Sequence, residues 1–322
     1  MNQPIDEFSL ISNFFKELTS QQDVAVGIGD DAAIINNKTD HQIAIATDTL
    51  VASVHFPGDA SAEQIATRAL CVNLSDMAAM GATPKWFTLS LSMPQELVST
   101  EWLQGFSQGL ATVADQYQVS LVGGDTTAGP LTISITVVGE IPIGQALCRN
   151  GAKSNDIIYV SGTLGDGAAA LHQLTESTLK KNDRLIKRFY QPQPQIDLGI
   201  GLRDFASACI DISDGLIADL GHLCKASEVN ALINSQALPI HDDIKQAFSE
   251  QSINWALTGG DDYQLCFTIP SNQQVEFEQW ADANNFDVNA IGNMIPLDHN
   301  QDYLKIDNQT VSITAGGYSH FK

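Results

Sequence analysis

The sequence predicts a two-domain protein of mixed α/β (α+β) class, and three observations carry that prediction. Its 322 residues exceed the usual span of one domain. Short runs that alternate apolar and polar residues are interleaved with longer runs whose apolar residues recur at helical spacing. The pattern lapses over 141–156, IPIGQALCRNGAKSND, a turn-rich stretch that separates an expected N-terminal domain, 1–148, from a C-terminal one, 149–322.

In order along the chain, DEFSLISNFFKELT (6–19) sets Phe8, Ile11, Phe14, Phe15 and Leu18 on one helical face behind Asp6. HQIAIATDTL (41–50) alternates like a strand, and SAEQ (61–64) is a capping box that opens a helix reaching about Met80. KWFTLSLSMP (85–94) reads as strand, STEWLQGFSQGLATVADQY (99–117) as helix, and VSLVGG (119–124) and LTISITVVGE (131–140) as strands. These strands are too polar on one face to be covered on both, which predicts a mixed sheet with helices. DIIYVSG (156–162) starts a second α/β layer, with helices near 165–174, 195–207 and 214–226, strands near 229–234, 264–269 and 288–292, and a closing hairpin near 303–314. The expected C-terminal domain is therefore an α/β sandwich.

A net charge of −22 with only 16 Lys+Arg gives no footprint for nucleic acid or an anionic membrane. A phosphate ester could be handled only with bound cations, and the surplus carboxylates suit Mg²⁺. Cys71, Cys148, Cys209, Cys224 and Cys266 are widely spaced without a C-x-x-C, so neither a disulfide framework nor a zinc site is expected, and a reducing cytoplasm fits. MNQPIDEFSL lacks a basic, apolar leader pattern, and no apolar run reaches the roughly 18–20 residues of a membrane span.

Acidic residues recur at glycine turns and element ends: GIGDDAA (27–33), ATDTL (46–50), NLSDM (73–77), GGDTTAG (123–129), DISDGL (211–216) and GGDDY (259–263). Each alone has an ordinary explanation as a cap or turn. Together they point to hard-cation binding. NLSDM resists the ordinary explanation most, because Asn73 and Asp76 lie three apart in an otherwise apolar helix, and a buried carboxylate needs a partner. In ATDTL, Asp48 could act with the carbonyl or hydroxyl of Thr47, and in GGDTT the paired glycines allow close approach of a ligand to Asp125. DISDGL is no EF-hand, since counting back from Gly215 puts Ile210 at the first ligand position and Gly221 at the last. P-loop and protein-kinase signatures are absent. SGTLGDGAAAL (161–171) is glycine-rich between strand and helix, readable as a phosphate loop or, more readily, a tight turn. Arg149 reads equally as a phosphate contact or a surface cation, and His55 by itself as a structural histidine.

The ordered set GIGDDAA, TDTLV with His55, NLSDMAAMGATP, GGDTTAGP, DISDGLIADLGH, GGDDYQLCF and GYSHF resembles the bacterial thiamine-monophosphate kinase family, from about Phe8 to Phe321. The wider superfamily includes aminoimidazole ribonucleotide synthetase and selenophosphate synthetase. The resemblance implies a homodimer in which the N-terminal sheets pair into a barrel, and the conversion of ATP and thiamine monophosphate to ADP and thiamine diphosphate. It further implies that Asp31 binds Mg²⁺ and that Thr47, Asp48, Asp76, Asp125, Asp211 and Asp214 share the remaining metals, with Asp30 either a second ligand or a turn residue. Gly124, Asp125, Arg149 and Ser213 fall where the family contacts ATP, and His55, Asp261 and Tyr318 where it contacts the thiamine substrate. Two departures stand out: Ala46 replaces the usual Ser before Thr-Asp-Thr, and Asp261 replaces the usual Glu. The expected mechanism is direct in-line transfer assisted by clustered Mg²⁺. The alternatives are another ATP-dependent synthetase of the superfamily and a non-catalytic acidic metal-binding module.

Overall fold

The computed structural model describes residues 13–15, 24–26, 34–35, 38–176, 181–298 and 304–311. Most of the expected first helix, together with Asp30, Asp31 and Tyr318, lies outside the described residues. The chain divides into two compact units, 1–77 with 82–144 and 78–81 with 145–322.

In the first unit β1 (Val24–Val26) pairs antiparallel with β2 (Ile34–Ile35), and the GIGDDAA segment connects them. The main sheet comprises β3 (His41–Val51), β4 (Thr83–Met93), β5 (Ser120–Ala128) and β6 (Thr132–Pro142), in the order β3-β6-β4-β5. Only β4 and β5 run parallel within it, joined through helix α2 (Thr100–Tyr117), while helix α1 (Ala62–Ala79) leads from β3 to β4. The capping box forms as its sequence requires: Ser61 Oγ accepts from Gln64 N at 3.2 Å and Gln64 Oε1 accepts from Ser61 N at 3.0 Å. Ser99 caps α2 in the same way, its side chain accepting from Trp102 N.

The period-two alternation of this sheet is resolved into two unlike faces. Leu89, Leu91, Ile133, Ile135 and Val137 are buried with Leu70, Leu74 and Met77 of α1 and Phe106, Leu110 and Val113 of α2. The opposite face carries hydroxyls: Thr47 bonds Thr136 at 2.8 Å and Thr49 bonds Ser134 at 2.7 Å, flanked by Ile43 and Ile45, the latter 67% exposed.

The second unit is built on β7 (Ile157–Ser161), β8 (Ala208–Asp211), β9 (Asn230–Ile233), β10 (Leu265–Ile269), β11 (Val288–Ile295), β12 (Leu304–Ile306) and β13 (Gln309–Val311). Their order is β13-β12-β9-β11-β7-β10-β8, antiparallel except where β12 meets β9. Central β7 and β10 are buried at every residue, which is why they read as continuous apolar runs. The helices are α3 (Asp166–Thr175), α4 (Asp183–Tyr190), α5 (Ile196–Leu202), α6 (Leu216–Ser227), α7 (Asp242–Ala247), α8 (Ser252–Thr258) and α9 (Gln274–Ala283). Helix α5 stops short of the expected 207 because its end tightens into i→i−3 bonds, from Arg203 N to Ile200 O, Asp204 N to Gly201 O and Phe205 N to Leu202 O. Helices α4, α7, α8 and α9 had no sequence expectation. Phe277 of α9 packs on Tyr159 and Phe267 of the sheet, so tertiary packing of a few aromatics sustains that helix.

Candidate functional site

In the first unit the acidic residues stand on regular elements. Asp48 occupies the helix-covered face of β3, half-buried, and its backbone N–H donates to Asn73 Oδ1 at 3.0 Å. Asn73 is wholly buried and its Nδ2 donates to Ala69 O at 2.9 Å. The polar pair of NLSDM therefore splits in role. Asn73 fastens α1 to β3, while Asp76 lies one turn later and is half-buried. Because side chains alternate, the Thr47 hydroxyl lies on the face opposite Asp48, leaving the Thr47 carbonyl as the group that could join Asp48 in binding a cation.

Asp125 is exposed on β5, in register with Ser90, Ser134 and Thr49, hence on the hydroxyl face. Gly124 before it adopts φ +153, and a Cβ there would collide with the Leu89 carbonyl. Only glycine fits, and what it admits is the backbone of the neighbouring strand, whereas the GGDTT motif by itself predicts close approach of a ligand. Asp48 and Asp125 thus stand at the two edges of one four-stranded sheet and on opposite faces, three strand spacings or roughly 14 Å apart across the strands.

His55 closes the turn after β3, half-buried. Its Nδ1 accepts from Val51 N at 3.0 Å, which assigns the neutral ring a proton on Nε2, and its carbonyl accepts from the buried Arg68 Nε at 3.2 Å.

In the second unit three loops meet: 162–167 before α3, 211–215 before α6, and 259–263 before β10. Asp261 N donates to Ser213 O at 2.9 Å and Tyr263 N to Ile212 O at 2.7 Å, extending the β8–β10 ladder into the site. Gly167 packs so closely on the third loop that a Cβ would stand 2.5 Å from the Gly260 carbonyl. Two acids that the motif reading had not singled out hold these loops. Asp219 Oδ2 accepts from Ser213 N at 3.0 Å, Asp214 N at 3.0 Å and Gly215 N at 3.1 Å. Asp262 Oδ2 accepts from Gly165 N at 2.7 Å and its Oδ1 from Gly167 N at 3.0 Å. A sequence signal for Asp219 existed, an acid four residues beyond the loop glycine in an otherwise apolar helix turn.

These bonds decide the glycine-rich SGTLGDG loop. The amides that a phosphate would need at Gly165 and Gly167 already serve the Asp262 carboxylate, so the loop is a tight turn fixed by the 259–263 loop. Burial pushes the Asp219 carboxyl up to about 8, with the Asp211 charge the next cause, against amide donors that favour its ionised form. Asp211 is buried at the end of β8 and Asp214 half-buried in the loop, so the field around 211–219 is strongly negative.

Arg149 lies elsewhere in this unit. Its carbonyl accepts from Ser227 Oγ at 2.9 Å, at the C-terminal end of α6, whereas Ser213 and Asp214 adjoin the start of that helix. The 12 residues between set these points about 18 Å apart along the axis. The Arg149 side chain is exposed.

Among the described residues no three His, Cys, Asp or Glu side chains converge closely enough to enclose a metal. Mg²⁺ needs no such cage. It is commonly held by one or two carboxylates, with water and substrate phosphates completing the octahedron. Asp48, Asp76 and Asp214 are half-buried and Asp211 is buried, and each carries carboxylate oxygens of the type that hard cations prefer.

Comparison with known proteins agrees with this anatomy. Residues 29–141 match the family model for AIR synthase related protein, N-terminal domain, and 153–305 that for AIR synthase related protein, C-terminal domain. Thiamine-monophosphate kinase of Escherichia coli K12 is 43% identical over 321 residues, 98% of each chain. The chain belongs to the thiamine-monophosphate kinase family. Membership makes it a kinase, an ATP-dependent phosphotransferase. The crystal structure of thiamine-monophosphate kinase from Stenotrophomonas maltophilia K279a superposes with a TM-score of 0.86 at 39% identity, covering 95% of this chain and 98% of that one. A structure described as AaThiL complexed with AMPPCP and TMP superposes at 0.79 with 31% identity, covering 100% and 99%. Among the described residues no helix is long and apolar enough to cross a membrane.

Proposed function

We propose that this chain transfers the γ-phosphate of ATP to thiamine monophosphate, giving thiamine diphosphate, by direct in-line displacement. The observation that carries the reading is the division of labour among its acids. The amides of Gly165, Gly167, Ser213, Asp214 and Gly215 serve Asp262 and Asp219, which supports cations held on the remaining carboxylates as the main partners of the nucleotide and acceptor phosphates. Its family membership and a neighbour bound to AMPPCP and TMP support the choice of donor and acceptor.

Asp48, Asp76, Asp125 and the Thr47 carbonyl would hold Mg²⁺ in the first unit, with Asp31 and its neighbour Asp30 beside them in sequence, and Asp211 and Asp214 in the second. Bound Mg²⁺ supplies charge neutralisation of the polyphosphate and of the charge that spreads in transfer. The chain's own part is positioning. Gly124 brings backbone close to ATP, Ser213 and Arg149 add nucleotide contacts, and His55, Asp261 and Tyr318 hold the thiamine substrate. The acceptor is an ionised phosphate near neutral pH and needs little general-base help. Domain 1–148 serves ATP, Mg²⁺ and dimerisation, 149–322 completes the enzyme, and the reaction belongs in the cytoplasm.

A homodimer is part of the reading. The hydroxyl face, with Ile43 and Ile45 exposed, suits a second copy, and pairing the β3 edge of one protomer with the β5 edge of its partner would continue the sheet across the dimer. Light scattering on Ile45→Lys should return a monomer, and a monomeric wild type would overturn this part. For the reaction, ADP release is measured with thiamine monophosphate and with formylglycinamidine ribonucleotide as acceptors. Turnover with the first alone is expected, and turnover with the second alone would reassign the enzyme. Transfer from chiral γ-phosphate should invert configuration; retention would replace direct transfer with a phosphoenzyme route.

A further inference from the structure

We propose that Asp262 is the positioning residue of the acceptor loop: its carboxylate ties residues 259–263 to the start of α3 and so fixes where Asp261 stands. The inference rests on reading Asp261 as a contact of thiamine monophosphate.

Asp262 is wholly buried between two half-buried neighbours. Both its carboxylate oxygens face the α3 entry, at 2.7 Å from Gly165 N and 3.0 Å from Gly167 N, and its carbonyl accepts from Arg188 Nη2 at 2.6 Å. On either side, Asp261 and Tyr263 adopt φ of 68 and 49, the left-handed region. Two such non-glycine residues around a single position persist only where the surroundings over-determine the backbone. The amides of Asp261 and Tyr263 supply that restraint from the 211–215 side, through Ser213 O and Ile212 O. Asp262 supplies it from the α3 side. The Tyr263 hydroxyl then donates to Asp261 Oδ1 at 3.1 Å, so the side chain of Asp261 inherits the loop geometry. Because Asp261 is shorter than the Glu usual at this place, its reach depends on where the backbone holds it.

The Asp262→Asn side chain keeps one acceptor oxygen but turns an amide N–H against the second backbone N–H, loosening the tie without emptying the core. Steady-state kinetics on the full chain should show KM for thiamine monophosphate raised about tenfold, with KM for ATP changed about twofold or less. The Asp261→Ala variant and the double variant complete the measurement. Asp262 acting through Asp261 predicts no further rise in KM when Asp262→Asn is added to Asp261→Ala. An unchanged acceptor KM in folded Asp262→Asn, or additive effects in the double variant, overturns the inference. A merely structural role would lower the unfolding temperature while leaving both KM values alone. Should Asp262→Asn fail to fold, Asp262→Glu retains both acceptor oxygens one methylene further out. Its acceptor KM should then lie above wild type, and a wild-type value would overturn the inference. If Asp261→Ala alone leaves the acceptor KM unchanged, the reading of Asp261 falls and takes the inference with it; a raised KM in Asp261→Ala with additivity sinks the inference alone.

Discussion

The two units carry their acids in opposite ways. In the first, Asp48, Asp76 and Asp125 sit on strands and a helix whose own ladders hold the backbone. In the second, Asp214 and Asp261 stand on the loops that lead out of β8 and into β10, and two buried carboxylates, Asp219 and Asp262, tie those loops down. An acidic motif therefore mixes two populations. Some stand on regular elements, and others are loop architecture, recognisable by the backbone N–H groups they accept.

The sharpest way to break this comparison is to remove one acid of each kind. The Asp76→Asn variant should lose about 10²–10³-fold in turnover at ordinary Mg²⁺ while its circular dichroism and unfolding midpoint stay at wild type. If the protein unfolds instead, Asp76 belongs with the architectural acids. The Asp219→Leu variant should show the converse, destabilisation on the order of 3 kcal/mol in urea, because three loop amides lose their acceptor. Wild-type stability there would remove the distinction.

A finer test uses pH. Burial pushes the Asp262 carboxyl up to about 7. A folded value above the unfolded one means that stability is fully present below the unfolded value, near 4, and is lost as pH rises through 7. Between pH 8 and pH 6 the wild type should gain about 1 kcal/mol more than Asp262→Asn. Parallel pH profiles would show that this carboxyl titrates normally in the fold. The smallest effect belongs to the regular first unit, where Ser61→Ala should cost about 1 kcal/mol through the lost cap of α1, with turnover preserved. A loss of turnover larger than the loss of folded protein would tie that cap to the site.

Much of this was legible in the residues. The strands at 41–51 and 83–93, the helices at 62–79 and 100–117 and the capping box at Ser61 follow from period and cap chemistry, which act over a few neighbouring residues. The acid-and-glycine motifs likewise marked the loops that meet in the second unit. Helices α4 and α7 did not announce themselves, because they are short, charged segments joined by a long-range tie: Arg184 bonds Asp166 at 2.9 Å and Asp243 at 2.8 Å. Asn73, suspected as a ligand neighbour, instead bonds the backbone of β3, a partner 25 positions away that no local pattern reveals.

By itself the sequence determined the class of each unit, the acidic chemistry and the family, since propensity, periodicity and motif order are properties of nearby residues. Which acids build was decided only in the tertiary structure. That depends on whether a carboxylate finds backbone amides from a distant loop, as Asp262 finds Gly165 and Gly167 across 97 and 95 positions of chain. A buried carboxylate survives only where such donors meet it, and those meetings exist only once the loops are folded together.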